Sequence, residues 1–378
     1  MKRIHQTTSH GLGFVPAPLA QLPWRVLFLL LAISGFGVVV LFSAAGGSPS
    51  PWAERQGFAF LVFLCGAIAL SRVRVSFWQN LALPAYAVIT VSLVLVELLG
   101  AVKGGSQRWL DLGFIRVQPS EFMKPVMVLA LARFYDMLPA GEIRRFGAVW
   151  PAAIMLGLPA GLVMLQPDLG TALMITAGGL TVMFLAGLPI RLFVGGALAV
   201  AIAAPLAYQF LLHDYQRNRV LIFLDPESDP LGTGYHISQS KIAIGSGGIF
   251  GKGFLNGTQS HLDYLPEGHT DFVFATMAEE WGLLGGVFLI CAFILLVRWG
   301  VNVGVRADSR FAKLVAGGLA TTIFFYVAIN LMMVMGLAPV VGIPLPLVSY
   351  GGSAQMTVLG CIGILMAIDR ENRDRVRF

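Results

Sequence analysis

Long apolar segments follow one another along almost the whole chain, separated by short polar connections. Each segment approaches the roughly 20 residues that an α-helix needs to cross the hydrocarbon core of a bilayer. The pattern therefore predicts an all-α, polytopic membrane protein with about ten transmembrane helices. The predicted helices are residues 24–43, 54–71, 80–99, 119–135, 148–166, 168–187, 190–210, 271–297, 312–336 and 347–368.

Composition strengthens this prediction. Of the 378 residues, 56% are hydrophobic and only 12% are charged, whereas a soluble globular domain carries about 25% charged residues. The three cysteines, Cys65, Cys291 and Cys361, all lie in apolar segments. They are typical of small core residues and do not indicate a disulfide framework.

The distribution of positive charge predicts the orientation in the membrane. An even number of helices places both termini on one side, and most of the 26 Lys and Arg residues then lie on that side. The positive-inside rule therefore predicts an N-in, C-in topology. It leaves cytoplasmic tails at 1–22 and 371–378 around a single membrane domain, 23–370. The net charge of +6 indicates contact with anionic membrane lipids and not with nucleic acid, because no basic patch contains interleaved aromatic residues.

Two connections then face away from the cytoplasm, the shorter at 100–118 and the larger at 211–270, between the seventh and eighth helices. Connections of the larger size are usually functional or partly structured. This one contains a helical pattern at 237–244 and a glycine-rich run at 245–253. The last external connection, 336–352, is irregular and rich in proline. Such backbone at membrane depth must be buried in protein or line a cavity.

Ionisable side chains are concentrated immediately before the eighth apolar segment, at Asp263, Glu267, His269 and Asp271. Ionisable groups at the entrance of a membrane helix are functional candidates. Asp271 lies where the loop becomes the helix, so a rigid element can position its carboxylate. The alternative is an ordinary carboxylate favoured by the helix dipole. Loose divalent-cation binding through these oxygens is also compatible with the residue types, although no tight metal-site spacing is present.

Several other polar residues each have a structural and a functional interpretation. Glu121 and Lys124 share a helix face and can pair; either the pair neutralises both charges, or Lys124 presents a cation to an anionic substrate while Glu121 orients it. Arg108 and Trp109 are typical of an interfacial anchor, or they contact a substrate headgroup. Asp168 is an ordinary turn and cap residue.

The glycine-rich run invites comparison with a nucleotide-binding phosphate loop. It fails the required spacing, because Ser246 occupies the position of the first glycine and Gly253 follows Lys252. A nucleotide site is therefore excluded. Glycine-rich backbone next to Lys252 remains able to approach a phosphate of another substrate.

The chain resembles the SEDS family (shape, elongation, division and sporulation) over nearly its whole length. The resemblance rests on ordered sequence blocks: RWLDLG, QPSEFMK, QPDLGTA, DPLGTGYHISQSKIAIGSGGIFGKG, GTQSHLDYLPEGHTDFVFATMAEEWG and PLPLVSYGGSAQM. The GTQSHLDYLPE run is more similar to the elongation branch of the family than to the division branch. The chain departs from the family pattern at Gly268, where a basic residue is often expected.

The resemblance implies a ten-helix glycosyltransferase that polymerises lipid II into peptidoglycan on the outer face of the cytoplasmic (inner) membrane, with its active site facing the periplasm. It implies a role in cell elongation and rod-shape maintenance. The implied partners are a class B penicillin-binding protein of the elongation type, which crosslinks the product, and other proteins of the elongation machinery. Asp271 matches the expected catalytic residue, and Trp109, Glu121 and Lys124 match positions expected to be functionally important.

The chemistry of such a transfer requires one base and several cations. The base takes the proton of the acceptor hydroxyl, and cations stabilise the charge that grows on the departing diphosphate. Asp271 is the predicted base and Lys124 the first choice for the diphosphate. Weaker candidates for the diphosphate or for substrate contact are Arg108, Trp109, Glu121, Arg217, Arg219, Lys241, Lys252 and His269. A divalent cation, Mg²⁺ or Mn²⁺, is an alternative that shares this task, and the lipid tails are expected in a groove between helices.

Two rival functions remain open at this point. A lipid II flippase would use the intramembrane residues Glu279, Glu280 and Asn330 and the broken segment near Pro344 as a translocation path. The lack of a convincing internal repeat counts against it. A membrane scaffold that only positions the penicillin-binding protein is the second rival, and the concentration of ionisable groups before Asp271 counts against that.

Overall fold

The computed structural model describes residues 22–376 except 100, 104–105, 112–115, 211–216, 218–220, 223–224, 226–232, 263 and 266. Most of the predicted N-terminal tail therefore lies outside the described residues. The described part is predominantly helical, which confirms the predicted all-α class. Its long helices are α1 (Trp24–Ala44), α2 (Ala53–Leu70), α3 (Val75–Leu99), α4 (Pro119–Met137), α5 (Phe146–Leu165), α6 (Leu169–Ala186) and α7 (Ile190–Phe210). They are followed by α8 (Thr233–Gly247), the short α9 (Thr258–His261), α10 (Val273–Arg306), α11 (Arg310–Val334) and α12 (Gly352–Val376).

Nine helices in the described ranges are long and apolar enough to cross a membrane, judged by length and composition. Helix α4 is not among them because it carries Glu121, Lys124, Arg133 and Asp136 within 19 residues. It lies in the same bundle, packed against α3, α6 and α11. With α4, the described part of the chain contains ten helices of 18 residues or more, the number that the apolar pattern predicts.

Some helix ends differ from the predicted ones. Helix α10 continues to Arg306 and α12 to Val376, well beyond the apolar segments, while α3 begins earlier, at Val75. The reason is that hydropathy detects the part of a helix that can lie in lipid. The backbone hydrogen bonds continue wherever the next residues remain helical.

Helix α11 is the centre of the bundle. It packs against α4, α6, α10 and α12, and small residues allow these close approaches, as is common between membrane helices. A Cβ atom built on Gly318 would come within 2.6 Å of Val128 Cγ1 and 2.7 Å of Val182 Cγ2. Polar groups on α11 are therefore held in a tightly packed surrounding.

The glycine-rich run docks into a break in α10. Gly282 interrupts the helix with φ 62° and ψ −157°, which removes regular helical hydrogen bonds. The run replaces them: Leu283 N donates to Gly248 O (2.9 Å), and Lys252 N donates to Glu279 O (2.9 Å). Backbone groups at membrane depth must find such partners within the protein. The run therefore serves α10, and its N–H groups at Lys252 and Gly253 are already used.

Replacing Gly251 with alanine is expected to destabilise this docking by about 1–3 kcal/mol. Gly251 has φ +79°, and an added Cβ would overlap the Glu280 carbonyl group. The matched control is Gly245→Ala, in the same segment, where an added Cβ meets open space. Thermal unfolding in detergent should show a lower midpoint temperature for Gly251→Ala than for the wild type. The midpoint of Gly245→Ala should be unchanged. Equal midpoints for the two variants would contradict the docking role.

Two further connections have described backbone, the one between α3 and α4 in part and the one between α11 and α12 throughout. Strands β1 (Ala101–Lys103), β2 (Ser106–Asp111) and β3 (Arg116–Val117) form a small antiparallel sheet in the order β1-β2-β3 between α3 and α4. The connection between α11 and α12 is irregular and largely buried, with Leu345 and Val348 almost inaccessible. This agrees with the expectation that irregular backbone at membrane depth is enclosed by protein.

Candidate functional site

Asp271 lies in the turn that leads into α10, next to the cap residue Phe272. It is half-buried. The connection after α11 forms the opposite wall, because a Cβ atom built on Gly342 would come 3.5 Å from Asp271 Oδ2. The carboxylate thus lies between a helix start and a buried loop, at the junction of loop and helix that the sequence predicts.

His269 forms part of a cavity wall beside this turn. Its ring stacks on Trp52, with ring centroids 4.0 Å apart and an angle of 8° between the planes. Burial lowers the pKa of His269 and the nearby Glu267 carboxylate opposes that shift, so the imidazole is neutral at pH 7. The two rings line a polar cavity of about 310 Å³, and Trp52 also lines an adjoining one of about 300 Å³.

Gly268 is buried in this turn, which explains how the chain tolerates its departure from the family pattern. A Cβ atom there would approach Thr276 Oγ1 to 3.0 Å and Leu265 O to 3.1 Å. These are tight contacts, so a larger residue at 268 needs a local rearrangement. The space around Gly268 is therefore occupied by the Thr276 side chain and by Leu265.

Lys124 and Glu121 form a buried network. Lys124 Nζ lies 2.6 Å from both Glu121 Oε1 and the Tyr326 hydroxyl, which itself donates to Glu121 Oε2 at 2.8 Å. Thr357 Oγ1 donates to the same carboxylate oxygen at 3.3 Å. The side chains of Lys124 and Glu121 are only 2% and 9% exposed. The structure thus shows the pairing interpretation directly, and a diphosphate reaches the Lys124 ammonium only after this network opens.

One face of α11 connects this network to Asp271. Tyr326 contacts Lys124 and Glu121, and Asn330, one helical turn later, donates from Nδ2 to the Asp271 carbonyl at 2.8 Å. Residues four apart lie on the same side of a helix, about 6 Å apart along its axis. Helix α11 therefore brings the predicted base and the first-choice cation to one side of the bundle.

Arg108 binds the turn between α5 and α6. Its guanidinium donates to the carbonyls of Gln166 (3.2 Å) and Pro167 (2.5 Å) and lies 3.8 Å from Asp168 Oδ2. Asp168 caps α6 by accepting from Thr171 N at 3.1 Å, which is the structural role predicted for it. Trp109, the next residue of β2, is half-buried. Arg108 thus anchors the small sheet to the helical bundle.

The four weaker cation candidates differ in their surroundings. Lys252 Nζ is paired with the buried Glu279 carboxylate at 2.6 Å. Arg217 donates to the Gln209 carbonyl at 2.7 Å and has further partners. Arg219 lies outside the described residues. Lys241, on α8, is exposed and its ammonium lies beside Gly336 at the end of α11, which makes it the described candidate with the most accessible charge.

The adjacent carboxylates of Glu279 and Glu280, both inaccessible to solvent, hold neighbouring segments of the chain onto α10. Glu279 accepts from the backbone N–H groups of Thr258 (2.9 Å) and Gln259 (3.0 Å). Glu280 accepts from Ser43 Oγ at 2.5 Å. These contacts are structural, and they occupy two of the residues that the transport interpretation requires for a path.

The described residues contain no group of three or more His, Cys, Asp or Glu side chains arranged to hold a metal ion. Asp263, one member of the predicted acidic cluster, lies outside them. Glu267 has φ +61° and accepts a hydrogen bond from Thr270 Oγ1. The described donors therefore do not fit a resident metal.

An apolar groove of about 300 Å³ lies between α2, α3, α4 and α12. Its wall includes Trp78, Phe122 and Thr357. Since Thr357 also contacts Glu121, one wall of the groove adjoins the buried network. A groove of this kind was expected for the lipid tails of the substrate.

Sequence reasoning missed Tyr326, Trp52 and Ser349 as parts of this region. Tyr326 lies on a buried face of α11 that also carries Thr322 and Asn330, and a buried hydroxyl requires a partner. That signal was present in the sequence but did not identify which residue it meets. Its partners, Glu121 and Lys124, lie on α4, more than 200 positions away.

Together these features define a polytopic α-helical membrane protein with a half-buried carboxylate and a buried ion pair on one side of its bundle. A model of the FtsW, RodA and SpoVE family of cell cycle proteins matches residues 21–374. The chain belongs to this family, which confirms the membership predicted from its sequence blocks.

Related proteins and solved structures are similar to this protein along most of its chain. It is 45% identical over 345 residues to the peptidoglycan glycosyltransferase MrdB of Escherichia coli strain K12, covering 91% of this chain and 92% of that protein. It superimposes on a chain of a peptidoglycan synthase complex with a TM-score of 0.81 at 34% identity, covering 93% and 98% of the two chains. The rod shape determining protein RodA of Thermus thermophilus gives a TM-score of 0.70 at 30% identity, covering 93% and 97%.

Proposed function

We propose that this protein is a peptidoglycan glycosyltransferase that polymerises lipid II into glycan strands during cell elongation and rod-shape maintenance. The observation that carries the proposal is a half-buried carboxylate, Asp271, in the turn that leads into α10, two residues after His269, which lines a polar cavity. It occurs in a chain 45% identical to a peptidoglycan glycosyltransferase. The fold alone would not assign this activity, because one fold supports many functions.

Asp271 acts as the general base. Its carboxylate accepts the proton of the C4 hydroxyl of N-acetylglucosamine on the acceptor, and the oxygen attacks C1 of N-acetylmuramic acid on the donor. The C1–O bond to the lipid diphosphate breaks, with inversion at C1. Diphosphate leaves with its own charge, so one positioned base satisfies the proton balance.

Cationic side chains stabilise the charge on the leaving diphosphate. Lys124 remains the first choice because α11 places it on the same side of the bundle as Asp271. Its ammonium would exchange Glu121 for phosphate oxygens. Lys241 is the next candidate, since it is exposed beside the end of α11.

The active site faces the periplasm in this proposal. The distribution of Lys and Arg along the chain supports an N-in, C-in topology, and that topology places the turn containing Asp271 on the outer side of the inner membrane. The proposed partner is an elongation-type class B penicillin-binding protein. The similarity to a chain of a synthase complex that coordinates polymerization and crosslinking supports this partner.

The flippase and scaffold alternatives are less well supported. Glu279 and Glu280 bind chain segments, and Asn330 bonds two backbone carbonyls. A scaffold would not need a half-buried carboxylate held between the start of α10 and the connection after α11.

Polymerisation by the purified protein in detergent separates these functions, because detergent micelles have no leaflets across which lipid II could be moved. The enzyme is expected to convert lipid II into glycan chains that muramidase digests, alone or with its penicillin-binding partner. The matched control is the same preparation inactivated by heat. No glycan under either condition would reject the glycosyltransferase proposal.

A further inference from the structure

Successive backbone carbonyls in the turn before α10 are all bonded. Thr276 Oγ1 donates to the Gly268 carbonyl (3.1 Å) and Tyr350 N to the His269 carbonyl (2.9 Å). Ser349 Oγ donates to the Thr270 carbonyl (2.6 Å) and Asn330 Nδ2 to the Asp271 carbonyl (2.8 Å). Turn carbonyls at a protein surface are commonly left to water. Here, all donors except Thr276 come from α11 or the connection that follows it.

Asn330 has the most demanding position among these donors. It is completely buried in α11, and its Nδ2 also donates to the Ile343 carbonyl at 2.7 Å. Two carbonyl oxygens on one side of the amide fix its orientation, since the reverse orientation would bring oxygen against oxygen. Both N–H bonds of the amide are thereby used to join Asp271 to Ile343.

The carbonyl oxygen of the same amide shows that packing alone does not account for an asparagine at position 330. Asn330 Oδ1 is buried and has no hydrogen-bond partner among the described residues. An unsatisfied buried acceptor is unfavourable, and an apolar residue of similar shape would avoid it. The two donated hydrogen bonds are therefore the feature that requires asparagine here.

The Asn330 amide also sets the distance between the Asp271 carboxylate and the opposite wall of the site at Gly342. Ile343 follows Gly342, which faces the Asp271 carboxylate at 3.5 Å from a built Cβ. By holding the Asp271 and Ile343 carbonyls together, Asn330 fixes the carboxylate relative to the opposite wall of the site. Ser349 supports the same link, because it accepts from Leu345 N at 2.8 Å while donating to Thr270.

We propose that Asn330 is a positioning residue for the base: its amide cross-links the Asp271 turn to the connection after α11 and holds the carboxylate in its reactive position. The inference rests on the proposed role of Asp271 as general base. Asn330 does not touch the reacting atoms, so it acts on turnover through Asp271 and not on substrate affinity.

The test compares Asn330→Leu with Thr322→Val in the purified full-length protein, using lipid II as substrate. Thr322 is also buried on α11, but its hydroxyl bonds Gly318 O within its own helix (2.9 Å). Asn330→Leu is expected to lower kcat by about 100-fold, the loss that a misplacement of about 1 Å can cause. KM should stay unchanged, and Thr322→Val should keep both parameters. Hydrogen exchange should become faster at residues 268–272 in Asn330→Leu only.

The Asp271→Glu background shows whether the effect passes through the carboxylate. That variant keeps a base but displaces it by one methylene, so adding Asn330→Leu should lower kcat far less than it does in the wild type. Losses that multiply in the double variant, or a higher KM with unchanged kcat, would overturn the positioning role. Asn330→Gln, which keeps both donors on a longer chain, should fall between Asn330→Leu and the wild type. If Asn330→Leu does not fold, Asn330→Gln takes its place in the comparison.

Asp271→Asn, measured in the same assay, separates this inference from the proposed function. If Asp271→Asn is active, both the role of Asp271 as general base and the positioning role of Asn330 are rejected. An inactive Asp271→Asn with a fully active Asn330→Leu leaves the base in place and rejects the positioning role alone.

Discussion

Replacing Asp271 with asparagine is expected to abolish polymerisation of lipid II while leaving the protein folded. Asparagine has the same shape as aspartate but no basic carboxylate, and a positioned general base contributes about 10²–10⁴-fold to a rate. The backbone contact to Asn330 uses the Asp271 carbonyl, so the substitution preserves it. Glycan synthesis from lipid II, measured by gel analysis of the product, should fall by about 100-fold or more.

Glu267→Gln is the matched control for this prediction. Glu267 is a neighbouring carboxylate, but it is exposed and bonds Thr270 within its own turn. A glutamine can keep that hydrogen bond, so activity should be preserved. Activity in Asp271→Asn with loss in Glu267→Gln would assign the base to Glu267 instead. Binding of the penicillin-binding partner should be equal in both variants.

Removing one member of the buried Lys124–Glu121 pair is expected to destabilise the protein by about 3–5 kcal/mol, since the other charge is left uncompensated. Lys124→Met leaves the Glu121 carboxylate buried, and Glu121→Gln leaves the Lys124 ammonium buried. The double variant removes both charges and should recover much of the lost stability. The free energy of unfolding in a mixed-micelle denaturation series measures all three.

The exposed pair of Arg145 and Glu142 is the control for that series. Its atoms are 2.8 Å apart, as in a strong ion pair, but the side chains are 72% and 44% exposed. Glu142→Gln should change stability by about 1 kcal/mol or less. Additive losses in the Lys124→Met/Glu121→Gln double variant would show that the buried charges do not depend on each other.

The double variant also decides what Lys124 does in the reaction. If the Lys124 ammonium meets the diphosphate, the double variant is folded and inactive. If the pair serves stability alone, the double variant is folded and active, and the search for the diphosphate cation moves to Lys241.

The sequence predicted the fold more completely than the site. The helix positions follow from the lengths of apolar segments, and the helical pattern at 237–244 lies inside α8. Asp168 was predicted to cap or turn, and it caps α6. In contrast, the acidic cluster before α10 looked like a set of interchangeable groups, and the structure assigns its described members different surroundings. His269 stacks on Trp52, Glu267 bonds Thr270, and Asp271 faces Gly342.

The sequence by itself determined the class of protein, the approximate helices and the family, because these depend on local composition and on contiguous motifs. Only the tertiary structure decided which ionisable groups are paired and what holds the predicted base. Lys124 meets Tyr326 from 202 positions away, and Asp271 meets Asn330 from 59 positions away. Such contacts are set by the packing of α11 against α4 and α10, and no local pattern in the chain records them.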